Sequence, residues 1–191
     1  MPRIVPGIET LDQHRSTLFS DPEHYRPDAC AQCGLAHPWA HGCYTRKSDR
    51  PPDGDGRRNP ILIPRFICRN PDCRRTCSRL PSCIAPRRWY LWSVQQVVLI
   101  LVLTGVPLCA AATHFAPRAG PARSTIRRWR DWLRPAPTSK EPAACFIFRL
   151  KGRFPELARG GDGDAFWLGC LRQLGLVGAM TALDALGDVV P

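Results

Sequence analysis

Two short cysteine pairs, Cys30-Ala-Gln-Cys33-Gly34 and Cys68-Arg-Asn-Pro-Asp-Cys73, constrain this chain more than any other feature. A tight turn between two cysteines can place both thiolates on one metal ion, and Asn70-Pro71-Asp72 has the turn-forming composition that requires. Together the pairs supply four soft ligands, enough for a closed tetrahedral zinc site. A polypeptide tied at one point by residues this far apart must form a compact unit around it.

The rest of the composition sets the scale of the other units. The chain has 191 residues, of which 44% are hydrophobic, but 20 prolines and 15 glycines interrupt any continuous core. We expect an α+β chain of several small units. The boundaries fall at 1–27 (an N-terminal arm with one or two helical turns), 28–90 (a zinc ribbon), 91–134 (a helix-turn-helix-like unit), 135–142 (a linker) and 143–191 (a helical tail for packing or self-association).

The formal charge is +11, and only Lys47, Lys140 and Lys151 among the 27 basic residues are lysines. Arginine's planar fork suits phosphate and guanine, although a GC-rich genome produces the same bias. Residues 46–88 hold twelve basic against four acidic side chains, and residues 113–134 six against one, whereas beyond Gly152 three basic face five acidic. A basic front with a mildly acidic tail points to a polyanion-binding front end.

There are ten cysteines, but Met-Pro-Arg-Ile-Val-Pro-Gly at the start has no apolar signal-peptide core. The expected compartment is the reducing cytoplasm, where paired cysteines read as metal ligands before disulfides.

Within the ribbon, His41 to Arg46 and Ile61 to Ile67 read as two strands of a hairpin, joined through an Asp/Gly/Pro/Arg-rich tip over 47–60. Pro64 lacks a ladder donor, so its strand should be an edge or be bulged. So small a unit cannot bury enough apolar surface alone, and metal binding should supply the missing stability. His37, His41, Cys43, Cys77 and Cys83 are rival ligands, the two histidines without paired spacing of their own. Cys43 and Cys77 are expected to pack as small hydrophobes, and Cys109, Cys145 and Cys170 to lie in the core.

Arg87-Arg88-Trp89-Tyr90-Leu91-Trp92 closes this unit, either as a nucleic-acid surface or as a weld of Trp89, Tyr90 and Trp92 to the next helix. Ser93-Val-Gln-Gln96 has capping-box form before the apolar run Val97 to Leu103, a buried helix. The run from Val97 to Ala112, broken by Gly105 and Pro107, is shorter than the roughly 20 residues a membrane span needs. A short helix from Leu108 to about His114, a loop over 117–121 and a third helix capped by Ser124 and ending near Leu133 complete a helix-turn-helix-like pattern. On that third helix Ile126, Trp129 and Leu133 share a core face, and Arg127, Arg128, Asp131 and Arg134 the opposite one. Ser124, Thr125, Arg127 and Arg128 occupy the N-terminal end, the part of a recognition helix that reaches bases. In the tail, Ala165 to Leu174 and Val177 to Leu186 read as helices.

The pattern Cys30-x2-Cys33-Gly34, His41-Gly42-x-Tyr44-x-Arg46, Ile63-x-Arg65-Phe66-x-Cys68-x4-Cys73-x2-Thr76-x-Ser78-x-Leu80-Pro81 resembles the zinc-ribbon front end of bacterial insertion-sequence transposases. It is similar also to a family of short proteins of unknown function that carry the same ribbon plus a helix-turn-helix. The resemblance covers about residues 28–134 and departs from the family pattern at Cys77, where an aromatic usually stands. It implies zinc ligands at Cys30, Cys33, Cys68 and Cys73 and a DNA-contacting helix over Ser124 to Leu133. The DNA-contacting residues expected are Arg65, Arg74, Arg75, Arg87, Arg88, Ser124, Thr125, Arg127, Arg128 and Arg134.

A transposase catalytic domain gathers three carboxylates around two metal ions, and Asp162, Asp164, Asp184 and Asp188 lie in too short a segment for that. The expectation is a protein that binds duplex DNA and does not cut it. A transposase subunit or a second copy is a possible partner; neither a membrane nor a small-molecule substrate is expected. The competing reading is a protein-docking module built on the ribbon. A thiol oxidoreductase using Cys30 and Cys33 is disfavoured because Gly34-Leu-Ala-His-Pro38 does not continue as a helix.

Overall fold

Ile61-Leu-Ile-Pro-Arg-Phe-Ile67 forms the central strand, β3, of a small sheet, and its burial changes phase along its length. Ile61 and Ile63 pack with Leu80 and Ile84, whereas Phe66, of opposite parity and so on the other face, packs with Val5, Ile8 and Tyr25. In the computed structural model, which describes residues 3–46, 60–86, 90–115, 120–133 and 143–187, the architecture is α+β, with a three-stranded antiparallel sheet and seven α-helices.

Strand β2 (Trp39–Arg46) pairs with one side of β3, from Trp39 opposite Ile67 to Arg46 opposite Ile61. Strand β4 (Thr76–Ser78) pairs with the other, Arg65 opposite Ser78 and Ile67 opposite Thr76. Pro64 is therefore not on an edge. It is accommodated by the second expected device: β4 stops short of it, and β2 carries an extra residue between Ala40 and Cys43, with Gly42 at φ 70°. The expected tip, 47–60, lies outside the described residues apart from Pro60.

The N-terminal segment is no free arm. Strand β1 (Ile4–Val5) pairs in parallel with β5 (Leu80–Pro81). Helix α1 (Leu11–Ser20) is fixed by a capping box: Thr10 accepts from the Gln13 amide, and the Gln13 side chain accepts from the Thr10 amide. Ile4, Val5, Ile8, His14 and Tyr25 are all buried. This segment supplies apolar surface that the small sheet lacks, which is why it is built in.

The helical unit begins with α2 (Trp92–Leu103), α3 (Leu108–Thr113) and α4 (Arg123–Leu133). It continues with α5 (Ala143–Arg153), a 3-10 turn at Pro155–Gly160, α6 (Gly163–Gln173) and α7 (Gly175–Ala185). Gly105, at φ 97°, ends α2 in a Schellman arrangement, the Val106 amide reaching the Leu101 carbonyl and the Gly105 amide that of Val102. The capping box expected at Ser93 does not form: α2 starts at Trp92, and Gln96 instead accepts from the Leu176 amide at the start of α7 (2.7 Å). The Trp167 indole donates to the Leu133 carbonyl at the end of α4 (3.0 Å).

The tail is likewise not separate. Trp92, Val98 and Leu99 of α2, Ile126 and Trp129 of α4, Phe166, Trp167 and Cys170 of α6, and Met180 and Leu183 of α7 share one core. Asp184 of α7, 2% exposed, accepts from the Arg3 and Ile4 amides at 2.6 and 2.7 Å and so ties β1 to this core. The expected linker, 135–142, lies outside the described residues. Among the described residues no single helix is long and apolar enough to cross a membrane.

Candidate metal centre

Each cysteine pair closes a turn of its own. In the first, the Cys30 amide reaches the Leu35 carbonyl (2.9 Å), Gly34 donates back to Cys30 (2.9 Å), and Ala29 bridges Ala36. In the second, the Cys68 amide reaches the Arg75 carbonyl (2.8 Å), the amides of Cys73 and Arg74 converge on the Asn70 carbonyl, and the Asn70 side chain accepts from Asp72 (2.9 Å). That last bond is an Asx turn, the use the sequence suggested for Asn70. The residue after the second cysteine has positive φ in both knuckles: Gly34 at 73° and Arg74 at 46°.

The two turns bring the Sγ atoms of Cys30, Cys33, Cys68 and Cys73 within 4.8 Å of one another. Across the knuckles Cys33 and Cys68 lie 3.4 Å apart and Cys30 and Cys73 3.8 Å apart. Tetrahedral ligands at a metal–sulfur distance near 2.3 Å stand about 3.8 Å from each other, so this cluster has the dimensions of a four-thiolate site able to hold a metal ion.

Electrostatically Cys30, Cys68 and Cys73 are unequal. The amides of Cys33 and Gln32 point at Cys30 and pull its pKa down to about 6. Burial pushes Cys68 up to about 12 against the Asn70 amide. The Arg75 amide favours the Cys73 thiolate, but burial and the Cys30 and Cys33 thiols outweigh it and leave Cys73 raised. Four neighbouring thiols do not all ionise together unaided; a cation among them is what makes that possible.

The rival ligands fall away. His37, His41 and Cys43 are exposed and outside the cluster. Cys77 packs against the cluster of Val5, Ile8, Tyr25 and Phe66, and Cys83 against that of Ile61, Ile63, Leu80 and Ile84. Cys43 therefore does not take the packing position expected of it, and neither does exposed Cys109; Cys170 is buried as expected. The Cys145 side chain lies outside the described residues.

The expected DNA-contacting residues stand on two separate elements. Arg74 and Arg75 are exposed on the second knuckle, and half-buried Arg65 reaches the Thr76 hydroxyl (3.4 Å). Arg127 and Arg128 are exposed on α4, opposite Ile126, Trp129 and Leu133, which are 0, 3 and 2% exposed. Ser124 is exposed and Thr125 half-buried, but Ser124 is not the cap: α4 starts at Arg123, and the Thr125 and Ile126 amides reach the Ala122 carbonyl. Arg87, Arg88 and Arg134 lie outside the described residues, as do Trp89 and most of the 117–121 loop. Trp92 is buried and Tyr90 meets Trp129 edge-on at 5.6 Å, so these two rings join helices instead of offering a stacking surface.

Arg69, which the sequence reading does not single out, is also exposed, inside the second knuckle between the two cysteines. The chain matches no protein-family model, no curated protein and no solved structure.

Proposed function

We propose that this protein binds zinc at Cys30, Cys33, Cys68 and Cys73 and uses its basic elements to bind duplex DNA, as a transposase-associated protein without a catalytic domain of its own. Four thiolates in a closed tetrahedral set suit zinc, which has no redox chemistry to tame and no geometric preference to satisfy. The observation that carries the DNA reading is the division of α4. Its apolar side is buried, while Ser124, Arg127 and Arg128 face solvent with no side-chain partner among the described residues. α4 packs against α2 and α3, so in this reading it is the third helix of a helix-turn-helix-like unit, with its N-terminal end turned to the groove.

A second reading has one observation in its favour. Trp39 and Leu62 on the sheet and Phe19 at the end of α1 are exposed at 53, 49 and 94%, which suits docking on a protein partner.

Fluorescence anisotropy with a mixed-sequence duplex separates the two. Zinc-loaded protein should bind at low salt and weaken steeply as salt rises, and Arg127→Ala/Arg128→Ala should flatten the salt dependence by about 0.9 in log–log slope for each phosphate no longer neutralised. Absence of binding at low salt, despite the +11 charge, would leave the docking reading in its place.

A further inference from the structure

The two knuckles differ in a way that metal binding does not require. Both need positive φ after their second cysteine, a conformation in which glycine is unstrained and an L side chain is not. The first knuckle meets this with Gly34; the second puts Arg74 there, at φ 46°. Among the described residues no hydrogen bond, ion pair or ring contact accounts for the arginine there, and its side chain is exposed. A strained, exposed, unpaired cation next to a metal ligand calls for a partner outside the chain.

Its surroundings identify the chemistry of that partner. Arg69 and Arg75, both exposed and unpaired among the described residues, flank it in the same turn. Residues 68–75 carry three arginines against Asp72 alone, whereas residues 28–37 carry Asp28 and no arginine or lysine. A divalent ion on four thiolates leaves a formal charge of −2 that repels phosphate. Of the two knuckles only the second offsets that charge, three arginines less Asp72 balancing the −2, so an anionic chain can approach the centre from that side.

We propose that the second knuckle is a phosphate grip gated by the metal: Arg69, Arg74 and Arg75 contact the nucleic-acid backbone when the turn is closed on the ion, and lose that arrangement when it is not. The gating is built into the turn. Cys73 stands directly before Arg74, the Arg75 amide points at the Cys73 sulfur, and the Arg75 carbonyl holds the Cys68 amide. The α4 cations stand on a helix whose core contains no metal ligand, so they do not depend on the ion. Nucleic-acid binding therefore has two separable parts, one that needs metal and one that does not. This rests on the DNA-binding reading above and divides it.

Arg74→Gly tests the grip, because glycine relieves the turn while removing the cation. Zinc affinity, measured by competition with a chromophoric chelator, should stay equal or rise. Duplex affinity at about 100 mM salt should fall several-fold, with the log–log salt slope reduced by about 0.9. Arg69→Ala/Arg75→Ala, which keeps the Arg75 amide and carbonyl, should cost a further slope of about 1.8 without loss of metal. Chelating the wild-type protein should reproduce the loss of all three arginines and leave the α4-dependent binding in place. Wild-type affinity in Arg74→Gly would overturn the grip and leave the DNA reading standing, as would chelation that abolished binding or left it unchanged. Failure of the zinc-loaded wild type to bind duplex would overturn both.

Discussion

The sheet unit and the helical unit are held together by different means. Among the described residues, the sheet unit's apolar cores are two clusters of four fully buried residues each, one on each face of β3. The helical unit has one continuous core containing Trp92, Trp129, Phe166 and Trp167. Burial at roughly 25 cal/mol per Å2 can sustain the second, whereas clusters as small as the first leave a deficit that a metal ion held by the four cysteines would make up. Where a unit draws its stability from one point, its fold is switchable; where stability is spread over a core, it is not.

The largest effect should come from removing that point. Chelation, or Cys68→Ser, should unfold the sheet unit while sparing the helical one, since structural zinc contributes about 10–16 kcal/mol in small domains. Hydrogen exchange followed by mass spectrometry would show lost protection over 39–46, 61–67 and 76–78 and retained protection in α2, α6 and α7. Uniform loss across the chain would erase the contrast and make the molecule one cooperative unit.

A smaller effect is expected at the joint. Asp184→Ala would strand the buried Ile4 amide, at about 1–3 kcal/mol for a buried donor left without an acceptor, and at smaller cost the part-buried Arg3 amide, which water can reach. Burial raises the Asp184 pKa, with the two amides acting against it. With a raised folded value, its contribution is fully present below the ordinary carboxylate range and is lost as pH rises through the folded pKa. Asp184→Asn keeps an acceptor and removes the charge. It should therefore be milder than alanine at neutral pH, as urea unfolding would show.

These two regions were also unequally legible. That Cys30, Cys33, Cys68 and Cys73 come together could be read from spacing alone, because a knuckle is local: cysteine, turn, cysteine. Ile126, Trp129 and Leu133 were legible for the same reason, their helical period being written within eight residues. What failed was long-range. Nothing near Gln96 says that it will accept from Leu176, and nothing near Asp184 says that it will anchor residues 3 and 4, 180 positions away. Without those bonds the first 27 residues read as an arm and the last fifty as a tail. Ser93 and Ser124 misled because a serine ahead of an apolar pattern signals a cap, whereas both helices begin one residue earlier, at Trp92 and Arg123.

The smallest expected effect separates the units by sign. His14 of α1 is 1% exposed and bridges two parts of the sheet unit, its Nε2 to the Leu62 carbonyl at 2.8 Å and its Nδ1 to the Tyr25 hydroxyl at 2.5 Å. A carbonyl only accepts, so Nε2 carries the proton and Nδ1 accepts from the hydroxyl. A second proton on Nδ1 would displace that hydroxyl proton inside a buried site. Burial accordingly holds the His14 pKa below its ordinary value, although the Leu62 carbonyl favours the charged ring. Below about pH 6.5 the unfolded chain takes up a proton that the folded one refuses, so this contribution is present above that pH and lost as pH falls. One proton accounts for at most about 1.4 kcal/mol per pH unit. His14→Gln retains a donor for Leu62 and does not titrate, so the difference between its urea midpoints and those of the wild type, followed from pH 8 to 5, isolates the effect from any protonation in the cysteine cluster. Acid thus loosens α1 on the sheet while favouring the protonated Asp184 at the joint, and a wild-type pH slope identical to that of His14→Gln would show that α1 is not held in this way.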